Sequence, residues 1–198
     1  MEPTLNNPVH VKIWQELVKR LKGIGKKDYV LHSSMVTKAM QEIIAGEKCD
    51  PKVMIPAAML HDIGLSGIPK EKWFPKTNEE KEEYEKMHID LAKDIITEIL
   101  SLNGFNDSQV AEIVDIAQSH KSKDPRGDIR VACMVDADNL SDIYKEAFES
   151  DIKSYGSSPM QHYEFRSKNK FFTATANKIF KEQLAKRLAE IQVTTSLN

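Results

Sequence analysis

The chain has 198 residues, of which 40% are apolar and 29% charged. That is enough to bury the core of one domain, and the composition excludes a fibre or a disordered tail. With 28 basic and 30 acidic residues the net charge is −2, so no broad basic surface is offered to long nucleic acid or to an anionic membrane. The longest apolar run, Val53–Leu60, has eight residues and contains Pro56, far short of a bilayer span. The opening MEPTLNNPVH lacks the basic-then-apolar layout of a secretory signal. Cys49 and Cys133 have no disulfide-framework or zinc-site spacing. These features predict a soluble, reduced, cytoplasmic protein.

In chain order, helical spacing of apolar residues and helix-start signals predict an all-α protein. Helices are expected at 9–22, 28–45, 51–63, 78–103, 107–120, 126–149 and 171–192. Val11, Trp14, Val18 and Leu21 lie on one face of the first, and Ala176, Phe180, Leu184, Leu188 and Ile191 on one face of the last. Asp50-Pro51 and Asp124-Pro125 each pair an N-cap with a proline suited to the first helical position. Thr77–Glu80 and Asn106–Gln109 have capping-box spacing. No window alternates cleanly enough to predict a strand. Two stretches break the pattern. Gly64–Lys76 is punctuated by Gly and Pro and carries Trp73 and Phe74, whereas Ser150–Pro159 reads as a loop.

The histidines carry the chemical signal. His32 lies on the stripe with Val36, Ala39 and Ile43, His88 with Leu91, Ile95 and Leu102, and His120 with Val110, Ile113 and Ala117. His61 follows Met54, Ala57 and Ala58, with Asp62 next to it. Asp136 lies on Ile129, Ala132, Cys133, Leu140 and Ile143. Each therefore points inward from a different helix, where an unpaired charge costs on the order of several kcal/mol. A lone inward histidine is readily explained as a core residue bonded to a carbonyl. Four, together with Asp62 and Asp136, are better explained by a shared partner, and imidazole and carboxylate are preferred ligands of divalent metals. His10 and His162 lie near segment ends without such company and are expected at the surface. Cys133 is read as a small core residue.

His32, then His61-Asp62, then Asp136 resemble, in order and approximate spacing, the His…His-Asp…Asp signature of the HD-domain superfamily of metal-dependent phosphohydrolases, and His61-Asp62-Ile63-Gly64 matches a form that superfamily often takes. The resemblance spans about 27–145 and implies an all-helical core; with no repeat, low-complexity tract or linker long enough to split the chain, one helical domain over 1–198 is expected, with helices from 146–198 packed on that metal-binding core. It also implies that His32, His61, Asp62 and Asp136 bind a divalent metal, with Mn, Fe, Mg, Co, Ni and Zn all open. His88 and His120 fall where two-metal members carry extra histidines, which would make Asp62 the bridge between two ions. Leu65 near the position of a subfamily lysine, and KSKDPRGDIR after His120, depart from the cyclic-dinucleotide phosphodiesterases of the superfamily.

The chemistry implied is hydrolysis of a nucleotide or other small phosphorylated metabolite by metal-activated water, with His61 and Asp62 central to it. Lys121, Lys123 and Arg126 follow His120 and are candidates to contact phosphate, as is Lys70; a solvated loop is the plain alternative for each. Trp73 and Phe74 are candidates for a lid or for stacking on a base, although such aromatics often pack back on a core. Some members of the superfamily use the same six-ligand set for diiron oxygenation, as in myo-inositol oxygenase, and others are non-catalytic binding modules. The amphipathic C-terminal helix is compatible with a homodimer.

Overall fold

The computed structural model describes residues 3–125 and 127–196, with side chains through 193. Among these residues the regular structure is helical, and no helix is long and apolar enough to cross a membrane. The α-helices are α1 (Pro8–Leu21), α2 (Tyr29–Glu47), α3 (Pro51–Leu60), α4 (Asn78–Leu102), α5 (Asp107–Gln118), α6 (Ile129–Ser141), α7 (Lys145–Tyr155), α8 (Pro159–Arg166) and α9 (Ala174–Ser196). Short 3-10 turns cover Ile63–Gly67 and Ser119–Lys121.

The helix starts follow from their caps. Asp50 accepts from Lys52 N ahead of Pro51, and Thr77–Glu80 and Asn106–Gln109 form the reciprocal capping boxes their spacing predicts. The helix expected over 126–149 is two helices, with α6 ending at Ser141 and α7 starting at Lys145. The expected loop over Ser150–Pro159 instead contains the last two turns of α7, which stops at Gly156 in the left-handed conformation (φ 65°). The helix α8 had no predicted counterpart. It begins at Ser158, whose hydroxyl accepts from Gln161 N, followed by Pro159 at the first helical position. Its eight residues are too few for apolar periodicity to stand out.

The helix α2 is central: it packs on α3, α6, α7 and α9, while α4 lies on the 3-10 turn after α3 and on α5. Ile13, Leu17, Met40, Ile43, Met54, Met59, Leu60, Ile96, Ile113 and Leu140 are fully buried where these helices meet. The two inner faces of α6 have different duties. One carries Asp136, which is fully buried and accepts from Phe172 N (2.9 Å), Thr173 N (2.8 Å) and Thr173 Oγ1 (2.8 Å). Thr173 Oγ1 in turn accepts from Ala176 N, so Asp136 anchors the start of α9. A second tether runs from Thr175 N to Glu47 at the end of α2.

One close approach sets where His88 lies. A Cβ on Gly64 would run into the backbone carbonyl of His88 and press on Ala92 N, so only glycine lets the turn after Asp62 lie against α4. At Gly67 the tightest neighbour is the flexible end of Leu91, at 3.3 Å, with Ile95 and the rest of Leu91 at ordinary contact distance. Gly64→Ala is therefore expected to destabilise the fold by more than about 2 kcal/mol in chemical denaturation, with Gly67→Ala within about 1 kcal/mol of the parent.

Candidate metal centre

The polar core collects side chains from five places. His32 comes from the first turn of α2, whose N-cap is Asp28. His88 comes from the middle of α4, and His120 from the 3-10 turn that closes α5. His61 and Asp62 are consecutive, and consecutive positions on a regular helix point about 100° apart. Here α3 ends at Leu60, Asp62 has φ −101° and ψ 7°, and the chain tightens into a 3-10 turn. That break lets both side chains face the same space.

The resulting cluster has two halves joined by Asp62. Its Oδ2 lies 3.5 Å from His32 Nε2 and 3.4 Å from His61 Nε2. Its Oδ1 lies 3.7 Å from His88 Nε2 and 3.6 Å from His120 Nε2. Within each half the Nε2 atoms are 3.3 Å apart, His32 facing His61 and His88 facing His120. The first half is completed by Asp138, whose Oδ1 is 3.1 Å from His32 Nε2.

Asp136, expected as a ligand, is elsewhere. It is spent on the start of α9, and Asp138, two residues on, stands in the cluster. The helix places Asp138, Ser141 and Asp142 on one stripe, all facing His32 or the residues around it. Three polar residues at i, i+3 and i+4 were the available signal. The apolar stripe through Asp136 masked it.

The imidazoles are oriented by partners on their far sides. His61 Nδ1 is 2.9 Å from Ala58 O and His120 Nδ1 is 2.7 Å from Ala117 O. A carbonyl can only accept, so both Nδ1 atoms carry hydrogen and both Nε2 atoms present a lone pair to the cluster. Ser141 donates its hydroxyl hydrogen to Asp138 O, leaving its oxygen to accept from His32 Nδ1 at 3.3 Å. Behind it Asp142 stands 3.6 Å from the same nitrogen. His88 Nδ1 faces Glu85 at 3.7 Å. Three donor atoms in each half, His32–His61–Asp138 and Asp62–His88–His120, lie within 4.8 Å of one another. Lone pairs converging on one point, with N–H groups turned outward, suit a divalent cation in each half.

Burial and neighbouring charge shape the proton affinities. Burial alone would raise the pKa of Asp62, yet the imidazoles facing it, His61 foremost and then His32 and His120, hold that carboxyl well below its ordinary value. Asp138 is likewise well below, because Lys121 and His32 outweigh its burial. For His61 burial lowers and Asp62 raises the pKa, and the carboxylate prevails. His120 is lowered to about 4 by burial and by His61.

Above the cluster is a polar cleft of about 270 Å³ whose lining includes His32, Asp62, His88 and Asp138 together with Lys27, Lys121 and Arg166. Lys121 pairs with Asp138 Oδ2 at 2.9 Å, Lys27 with Asp142 at 3.4 Å, and Arg166 with Asp142 at 2.6 Å and Asp151 at 2.9 Å. Of the four residues expected to meet phosphate, Lys121 alone is among the cleft lining. Lys70 and Lys123 are exposed elsewhere, and Arg126 lies outside the described residues. Lys27 and Arg166 had no signal, since one precedes α2 and the other ends the unpredicted α8. His10 and His162, expected at the surface, are both buried, His162 with its ring edge against Phe148 at 4.8 Å.

These placements separate two aspartates by experiment. Elemental analysis after equilibration with Mn²⁺ is expected to show at least half of the bound metal lost in Asp138→Ala and none lost in Asp136→Ala. The latter should instead lose about 1–3 kcal/mol of stability from the freed backbone donors. Acid should also displace metal. His61 binds protons more tightly than a free imidazole, so apparent metal affinity is expected to fall about tenfold per pH unit below its pKa. His120, neutral down to about pH 4, should add nothing to that slope until far lower pH. A calorimetric titration between pH 5 and 8 measures it, and a flat profile would rule out His61 as a ligand.

Comparison with known proteins places the fold. The model of the HD domain matches residues 29–143, a span that contains all six clustered side chains. A crystal structure from an uncultured Thermotogales bacterium, of a protein described as a predicted HD superfamily hydrolase, superposes with a TM-score of 0.64 at 23% identity, covering 94% of this chain and 91% of that one. No curated protein matches the chain. With the HD model covering more than half its length, this chain belongs to the HD-domain family.

Proposed function

We propose that the protein is a metal-dependent phosphohydrolase acting on a nucleotide or another small phosphorylated metabolite. The observation that carries this reading is a cluster of four inward-facing imidazoles and two carboxylates at the floor of a cleft rimmed by Lys27, Lys121 and Arg166. His32, His61 and Asp138 would hold one divalent ion and His88 and His120 a second, with Asp62 serving both through its two oxygens. Such ions lower the pKa of bound water from 15.7 towards about 7 and polarise phosphoryl oxygens. The family membership and the hydrolase description of the Thermotogales structure support the same reading.

The protein's own groups have separate tasks. Asp62 and Asp138 stay ionised at neutral pH, because the pKa of each lies well below the carboxylate range. The Nδ1 bonds of His61 and His120 hold their rings still, so the donor geometry is formed before substrate arrives. Lys121, half exposed at the cleft mouth, is placed to exchange Asp138 for a phosphoryl oxygen. Arg166, also in the cleft lining, is held by Asp142 and Asp151 and offers a rigid cation.

A panel of nucleotides and sugar phosphates assayed with added Mn²⁺ is expected to yield phosphate release. Chelation should abolish it, and Asp62→Ala should lower it by about 10²–10³-fold, the scale lost when an electrostatic centre is removed. Absence of release across the panel, with iron-dependent colour and oxygen uptake instead, would replace this reading with an oxygenase.

A further inference from the structure

The metal cleft adjoins a second, larger cavity of about 520 Å³. The two share Lys27, Tyr29, Tyr84, Glu85 and Tyr155 in their linings. Beyond this shared wall the second cavity is lined by Trp73, Phe74 and Pro75 and by Lys26, Lys76 and Lys81. The aromatic density is unusual for this chain: five rings converge here although aromatics make up only 7% of the sequence.

Trp73 is fixed for contact. Its Nε1 donates to Ile68 O at 2.9 Å, which sets the ring orientation, and Lys70 Nζ lies 5.9 Å from the ring centroid. Phe74 does not pack back on the core; it is 52% exposed. Tyr155, in the wall shared with the metal cleft, is 60% exposed. Exposed rings around one hollow leave π-faces without partners, and planar ligands bind such faces. Lys26 and Lys81 make no ion pair among the described residues, so this lining carries positive charge, tempered by Glu85.

Building on the phosphohydrolase reading above, we infer that the substrate is an extended one. Its reacting phosphate lies at the metal cleft, and a planar aromatic ring carried on the same molecule lies between Phe74, Trp73 and Tyr155. A second anionic group on the ring side of the reacting phosphate is held at Lys26 and Lys81. Small aliphatic phosphates would fill the cleft and leave this chamber empty.

A matched series tests the assignment on the protein as purified: ribose 5-phosphate, adenosine 5′-monophosphate and adenosine 3′,5′-bisphosphate. The chain has two tryptophans, and Trp14 is buried, so ring stacking should report through Trp73 fluorescence. The monophosphate is expected to bind about tenfold more tightly than ribose 5-phosphate and to quench fluorescence, because stacking on aromatics is worth that order. The bisphosphate should bind a few-fold more tightly again at low salt, an advantage that fades at high salt. Phe74→Ala, at an exposed position, should lose most of the ring's advantage, and Trp73→Phe should keep binding but lose the quench. Equal binding of ribose 5-phosphate and the monophosphate, or binding without quenching, would overturn the inference. So would failure of all three to bind. Ring-dependent binding without metal-dependent phosphate release anywhere in the panel would leave this chamber standing and remove the hydrolase reading instead.

Discussion

Four imidazoles and two carboxylates share a buried volume a few ångströms across, and the fold depends on their mutual compensation. A carboxylate taken alone into such a place would take up a proton or unfold its surroundings. Asp62 avoids this because two histidines face each of its oxygens, and Asp138 because Lys121 and His32 do the same for it. The balance is local and geometric: remove one member and its neighbours are left as uncompensated buried charge. The helices around the cluster are arranged so that five chain positions deliver their polar atoms to one place.

Delivery requires regular structure to stop where the chemistry begins. The helix α3 yields to a 3-10 turn at His61-Asp62, α5 tightens at His120, and α6 ends just after the stripe that carries Asp138. Gly64 then lets the first of these turns lie against α4, which brings His88 to the far side of Asp62. Outside the cluster a ring of structural carboxylates holds the frame. Asp136 anchors the start of α9, and Asp142 with Asp151 binds Arg166. The same residue type thus serves two unlike purposes within three turns of chain, depending on which face of α6 it occupies.

Much of this was legible in the sequence because it rests on local signals. Caps and 3.6-residue periodicity located α1 to α5 closely, and the inward positions of His32, His61, Asp62, His88 and His120 followed from the stripes they share with apolar residues. What escaped was decided by tertiary contacts. Asp136 and Asp138 both face inward on α6, and only the docking of α9 determines which carboxylate it takes as an anchor. Lys27 and Arg166 reach the cleft through ion pairs with Asp142, a residue more than one hundred positions from the first of them. His162 is buried because α8 folds back over Phe148, and no periodicity in eight residues announces that. The break between α6 and α7 at 142–144 carries no proline or glycine to mark it.

If the two halves of the cluster are two cation sites bridged by Asp62, each must hold its own ion. A crystal structure of the Mn²⁺-equilibrated protein, with anomalous data collected at the manganese edge, tests it most directly. Two anomalous peaks are expected: one within coordination distance of His32, His61 and Asp138, the other of His88 and His120, and both in contact with Asp62. A single peak at Asp136, or none within the cluster, would contradict it.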